Sequence, residues 1–111
     1  MPTFFRRDDA FGIMYETGAQ SLYLSIVFGG STIDAIEVKR RDDGNSGAVI
    51  DGTKLSGAVL GGLATANAEF EVTYFPSRIA YHYDGYDINK CALVSEGAYE
   101  IAKRLVKVGK Q

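Results

Sequence analysis

One histidine and two carboxylates form the set of residues in this sequence that is best suited to chemistry. They are Glu71, His82 and Asp87, and His82 is the only histidine. A carboxylate beside an imidazole orients the ring and favours its charged form, so this set could serve as a general acid and base. It could also supply ligands to a metal ion. The competing interpretation is a solvated cluster of charges on a strand surface, which contributes little stability.

Two turn signals decide whether these three residues meet. Residues 69–75 and 79–83 each alternate apolar and polar side chains, as half-buried strands do. Pro76-Ser77 separates the two runs, and Asp84-Gly85, a strong signal for a two-residue hairpin turn, follows the second. A third strand would start at 86–88. We therefore predict a three-stranded meander in which the histidine has a carboxylate neighbour on each adjacent strand.

The other face of this predicted meander is rich in aromatic residues. Its cross-strand neighbours are Phe70 with Tyr83, Val72 with Tyr81, Tyr74 with Ile79, Tyr83 with Tyr86, and Tyr81 with Ile88. We interpret this face as the core beneath the helices. Any tyrosine left exposed would be a good anchor for a protein partner. Such candidates for a binding role are Tyr74, Tyr81, Tyr83 and Tyr86. Stacking on nucleic-acid bases is the alternative, which the lack of a basic groove disfavours.

Composition and charge limit the class of protein. The chain has 111 residues, of which 46% are hydrophobic and 23% charged, so residues 1–111 are expected to form a single domain. A net charge of −2 gives no basic footprint for nucleic acid or an anionic membrane. The single cysteine excludes an internal disulfide and fits a reducing compartment. Because the first residues lack the apolar segment of a signal peptide, we predict a cytoplasmic protein.

Alternating residues predict further strands in the N-terminal half. A short edge strand or a mobile end is expected at 1–5, and longer strands at 11–16, 21–28 and 33–41. The glycine-rich link at Gly29-Gly30 predicts that the last two strands pair as a hairpin.

A first helix is predicted over residues 53–66. Thr53 can cap it, and apolar residues then recur at helical spacing. Gly57, Gly61 and Gly62 each lower helix propensity by nearly 1 kcal/mol relative to alanine. Such a helix would depend on close packing against the sheet, where missing side chains let backbones approach. A glycine-rich loop is the competing interpretation.

A second helix is predicted at the C-terminal end of the chain. The third strand of the meander would continue over 91–94, and Ser95 would then cap the helix. The helix ends at Gly109, a favourable residue for a helix C-terminus. Its apolar stripe consists of Ala98, Ile101, Ala102, Leu105 and Val108.

These elements predict an α+β fold: a five- or six-stranded, mainly antiparallel sheet with the C-terminal helix and the glycine-rich helix on one face. Beyond His82, Glu71 and Asp87 no residues complete a catalytic set. We therefore expect a protein-interaction module without catalysis, an inhibitor or adaptor, with no cofactor, metal, nucleic acid or membrane partner. A homodimer could form at the edge of strand 21–28 or 69–75. The alternative function is a small enzyme or a ligand- or metal-binding domain that uses His82 with Glu71 and Asp87.

Overall fold

A computed structural model of the chain describes residues 3–16, 20–40, 51–85 and 90–109. Within these ranges the chain forms five β-strands, two α-helices and one short 3-10 helix at Ile33–Ala35. The strands are β1 (Thr3–Arg7), β2 (Ala10–Glu16), β3 (Gln20–Phe28), β4 (Glu37–Arg40) and β5 (Pro76–Gly85), and the α-helices are α1 (Gly52–Phe70) and α2 (Lys90–Gly109).

The strands form one sheet in the order β1-β2-β3-β5-β4. Strands β1, β2 and β3 make an antiparallel meander, and β5 runs antiparallel to β3. Strand β4 lies at the other edge, parallel to β5, so helix α1 provides the crossover that a parallel pair requires. The predicted α+β fold with a five-stranded, mainly antiparallel sheet is therefore confirmed.

Both helices contribute to a hydrophobic core on one face of the sheet. Because side chains alternate along a strand, every second residue of β2, β3 and β5 points into this core. The buried residues from the sheet are Ile13, Leu22, Leu24, Ile26, Ile79, Tyr81 and Tyr83. Those from the helices are Leu55, Val59, Leu63, Ala66, Val94, Ala98, Ile101 and Ala102. In the part of the chain that the structure describes, no helix has the length and apolar content needed to cross a membrane.

The predicted strand at 69–75 is wrong. Helix α1 continues through Phe70, and Glu71 ends it in the left-handed conformation with φ of 56°. The segment that follows is held by Asn67, whose amide donates to the carbonyl of Tyr74 at 3.0 Å and accepts from its N–H at 2.9 Å. Seven alternating residues were too few to distinguish a strand from a helix end followed by an extended segment.

Strand β5 consequently has different neighbours from those predicted. It pairs with the nine-residue strand β3, which places Tyr83 opposite Leu22 and Tyr81 opposite Leu24. The predicted hairpin between 21–28 and 33–41 is also wrong, because β5 occupies that side of β3 and the shorter strand β4 pairs with β5 instead. Strand β3 is therefore internal, and neither edge proposed for a homodimer exists in the described sheet, whose edge strands are β1 and β4.

Helix α1 confirms the predicted glycine-rich helix, with different bounds and a different cap. The cap is Asp51, whose carboxylate accepts hydrogen bonds from the N–H groups of Thr53 at 3.0 Å and Lys54 at 3.2 Å. Gly62 is the glycine that close packing requires: a side chain there would clash with the carbonyl oxygen of Ser95. The backbone that approaches it thus belongs to α2 and not to the sheet.

Helix α2 confirms the predicted C-terminal helix but starts earlier. It begins at Lys90, so residues 91–94 are helical and do not continue a strand, and Ser95 lies inside the helix. The apolar stripe also needs one correction, because Val108 is 60% exposed whereas Val106 is buried. The strand predicted to start at 86–88 lies outside the described residues.

Candidate binding cleft

A cleft lies between the edge strand β1 and the C-terminal half of α2. Its volume is about 270 Å³. Helix α2 packs against β2 and β3. Two helices side by side cover roughly 20 Å of a sheet, whereas five strands span roughly 24 Å, so one edge of the sheet is left uncovered. The lining residues are Phe4, Phe5, Arg6, Phe11, Gly12, Ile101, Arg104, Leu105 and Val108.

Two arginines give this apolar cleft its charge. The guanidinium carbon of Arg104 lies 4.9 Å from the ring centroid of Phe4, and that of Arg6 lies 5.1 Å from the ring centroid of Phe11. Such a cation–π contact orients a guanidinium without neutralising it. Within the described ranges neither arginine has a carboxylate partner. The cleft therefore combines apolar lining residues with two arginine side chains.

The basic character extends along α2 beside the cleft. A smaller depression of about 100 Å³ is lined by Phe4, Glu100, Lys103, Arg104 and Lys107. This local excess of positive charge contrasts with the net charge of −2 for the whole chain. An acidic group approaching this end of the molecule is therefore attracted, most strongly at low ionic strength.

Strand β1 offers backbone groups as well as side chains. In the described sheet it pairs only with β2, so the main-chain groups along its other side are available to a partner. An unpaired edge strand is a template for the addition of another strand, and charged residues such as Arg6 and Arg7 limit uncontrolled pairing.

The opposite face of the sheet carries the predicted catalytic histidine. His82 is half-buried there and lies opposite Tyr23 of β3. The ring of Phe5 lies over Gly12 on this face and stacks on Tyr23 with a centroid distance of 5.1 Å. Met14, 44% exposed, lies opposite Tyr23 in the neighbouring strand. Glu16 and Ser21 join Met14, Tyr23 and His82 in lining a depression of about 410 Å³, so polar and apolar side chains share this part of the molecule.

The predicted meander that would bring Glu71, His82 and Asp87 together is absent from the described residues. Glu71 lies at the C-terminal cap of α1, and the strand pairing that would have placed it beside His82 is absent. Asp87 lies outside the described residues. Among the residues that are described, no group of three histidine, cysteine or carboxylate side chains could hold a metal ion. A site built from the original three residues stays a prediction.

Three of the four tyrosines predicted as binding residues are described by the structure, and Tyr74, Tyr81 and Tyr83 all belong to the core or pack against it. Tyr81 and Tyr83 are only 2% and 1% exposed. Tyr74 is half-buried, with its ring centroid 5.3 Å from that of Phe28. Tyr86 lies outside the described residues. Where the structure describes them, these rings therefore support the interpretation of a core and not of an open interface.

Two other tyrosines have perturbed acidity without forming a reactive site. Burial raises the pKa of Tyr15 far above its usual range, and the charges of Glu96 and Glu100 add to the effect. The hydroxyl of Tyr99 donates a hydrogen bond to Glu69, which raises the pKa of Tyr99 to about 12. Both phenols stay protonated at neutral pH, so neither can act as a base there.

Comparison with known proteins found no matching family model, no similar curated protein and no similar solved structure. The assignment of function therefore depends on the geometry of this chain alone.

Sequence reasoning missed the cleft, although two signals were present. Phe4 and Arg6 have the spacing of two residues on one face of a strand, although the strand was predicted only over residues 1–5. Arg104 lies between Ile101 and Leu105 in the apolar stripe of α2, three residues from the first and one from the second. In the sequence alone, a positive charge beside an apolar stripe predicts only a surface residue. Its place in a cleft becomes visible when the strand that lies beside the helix is known.

Proposed function

We propose that this chain is a protein-interaction module without catalysis, which binds an extended segment of another protein along β1. The observation that carries the proposal is the apolar cleft beside a strand edge that is unpaired in the described sheet. Strand addition uses both features, because main-chain hydrogen bonds supply affinity and a pocket for every second side chain supplies specificity.

The energetics of the cleft suit a transient interaction. Burial of one leucine- or phenylalanine-sized side chain contributes about 1.5–3 kcal/mol, and this gain has to offset the cost of ordering the bound segment. Hydrogen bonds along the five residues of β1 would add to it. A binding free energy of this size suits an inhibitor or an adaptor that binds its partner reversibly. The single cysteine supports placing the protein in a reducing compartment such as the cytoplasm.

The proposal is tested by capture of partners from the native host with variants of matched charge. Val108→Glu places a carboxylate in the cleft at a position that is already 60% exposed. Ala64→Glu adds the same negative charge on the exposed surface of α1. We expect a partner retained by the wild type and by Ala64→Glu to be lost by Val108→Glu.

Equal retention of the partner by all three proteins would place the interface elsewhere and refute the proposal. The mass of the retained species, measured together with the oligomeric state of the protein itself, also shows whether the occupant of the edge is a second copy of this chain.

A further inference from the structure

We infer that the cleft recognises the C-terminal residue of a partner protein, an apolar residue that carries a free carboxylate. This inference rests on the proposed function and names the chemistry of the segment that would be bound. It follows from three features of the cleft: the placement of its charges, its volume, and its orientation relative to β1.

The charges lie where a carboxylate would be needed. Three of the lining residues differ sharply in exposure: Arg6 and Arg104 are exposed, whereas Ile101 is buried. A guanidinium presents a planar fork that matches a carboxylate, and a charge-assisted hydrogen bond is about twice as strong as a neutral one. A ligand that is apolar at its inner end and anionic at its outer end therefore complements the cleft.

The volume favours a single residue over a larger molecule. Pockets for drug-sized ligands typically enclose roughly 300–1,000 Å³. The cleft, at about 270 Å³, is smaller, and Phe4, Phe5 and Arg6 of β1 form part of its lining. One large apolar side chain with its carboxyl group fits this space, and the rest of the ligand would have to leave along the strand.

The alternation of an added strand favours a C-terminal carboxylate over an acidic side chain. Phe4 and Arg6 point to the same face, and Arg104 lies over Phe4, so both guanidiniums are on the helix side of β1. In an extended segment the acidic side chain of an adjacent residue would point to the opposite face, and one two residues away would lie roughly 7 Å along the strand. The α-carboxylate of a last residue instead stays beside its own side chain.

The inference is tested with N-acetylated tetrapeptides of the sequence Ser-Ala-Ser-Leu in two forms, one with a free C-terminal carboxylate and one with a carboxamide. Amide chemical shifts of the protein are followed by NMR during titration. We expect the acid to perturb residues of β1 and the C-terminal half of α2, with a dissociation constant about tenfold lower than that of the carboxamide.

Three charge-removing variants identify the groups responsible. Arg6→Gln and Arg104→Gln should each reduce the preference for the acid. Arg7→Gln is the matched control, because Arg7 follows Arg6 directly and points to the other face of the sheet. It should retain the preference.

Two results would overturn the inference. Equal affinity for the acid and the carboxamide would show that the carboxylate is not recognised, although peptide binding in the cleft would leave the proposed function standing. No perturbation of cleft residues by the acid at millimolar concentration would exclude C-terminal recognition. The proposed function is judged separately, by the loss of the native partner in Val108→Glu.

Discussion

Gly62 of α1 lies directly against the carbonyl oxygen of Ser95 on α2, with no space for a side chain between the two backbones. The same side chain position would also lie 3.1 Å from the backbone nitrogen of Tyr99. A glycine that lowers helix propensity is thus the residue that allows the two helices to pack closely. The packing of the helix pair over the sheet depends on this contact.

The first prediction compares two glycines of the same helix. Gly62→Ala should destabilise the fold by about 1–3 kcal/mol, because overpacking against a backbone outweighs the gain in helix propensity. Gly57→Ala should stabilise it by about 0.4–1 kcal/mol, since nothing lies within 4 Å of the new methyl group. Urea unfolding measures both free energies. The interpretation is wrong if both changes have the same sign.

The second prediction concerns the C-terminal end of α1. Glu71 adopts φ of 56°, a conformation that favours glycine, while its N–H bonds to the carbonyl of Asn67. Glu71→Gly should therefore stabilise the protein by about 1 kcal/mol. Ala68→Gly, on the exposed side of the same helix, should destabilise it by about 0.5–1 kcal/mol. Thermal unfolding of the two variants provides the test, and a loss of stability in Glu71→Gly would contradict it.

The third prediction follows from the hydrogen bond between Tyr99 and Glu69. It raises the pKa of Tyr99 to about 12, above the ordinary value of 10. The contribution of this contact to stability is fully present below the unfolded pKa and is lost as pH rises through the folded one. Glu69→Gln should lower the pKa of Tyr99 more than Glu100→Gln, because the Glu69 contact is the main cause and the charge of Glu100 the smallest.

Titration of ring carbons by NMR measures the pKa of Tyr99 in each variant. An equal effect of the two glutamine substitutions would show that the Tyr99 hydroxyl is not bonded to Glu69 in solution.

Local sequence patterns predicted most of the helices and strands but not which of them pair or pack together. The alternation of residues 21–28 and the helical spacing around Leu55 and Ile101 each identify an element correctly, because the burial of one face imposes its period on the sequence. Residues 69–75 misled because a helix end and the extended segment after it also alternate. The predicted neighbourhood of Glu71 and His82 followed directly, since it was derived by pairing that segment as a strand.

The cleft could not be predicted for a different reason. It depends on which strands the two helices cover, and this is decided by the parallel pairing of β4 with β5 and by the approach of α1 to α2 at Gly62. No short window of sequence contains that information. Arg104 and Phe4 are a hundred residues apart in the chain and meet only in the fold.

The last prediction measures how far the cleft interrupts the core along α2. Ile101 is 2% exposed, Leu105 is half-buried at the wall of the cleft, and Val108 is 60% exposed. Ile101→Ala should cost about 2–5 kcal/mol, as expected for a filled core position. Val108→Ala should cost under about 0.5 kcal/mol. Leu105→Ala should lie between them, because part of its surface already faces solvent and its removal enlarges an open cleft instead of creating a closed cavity. Urea unfolding gives the free energy of unfolding of the three variants.

A cost for Leu105→Ala equal to that of Ile101→Ala would mean that the cleft is closed in solution. The proposed binding site would then be absent.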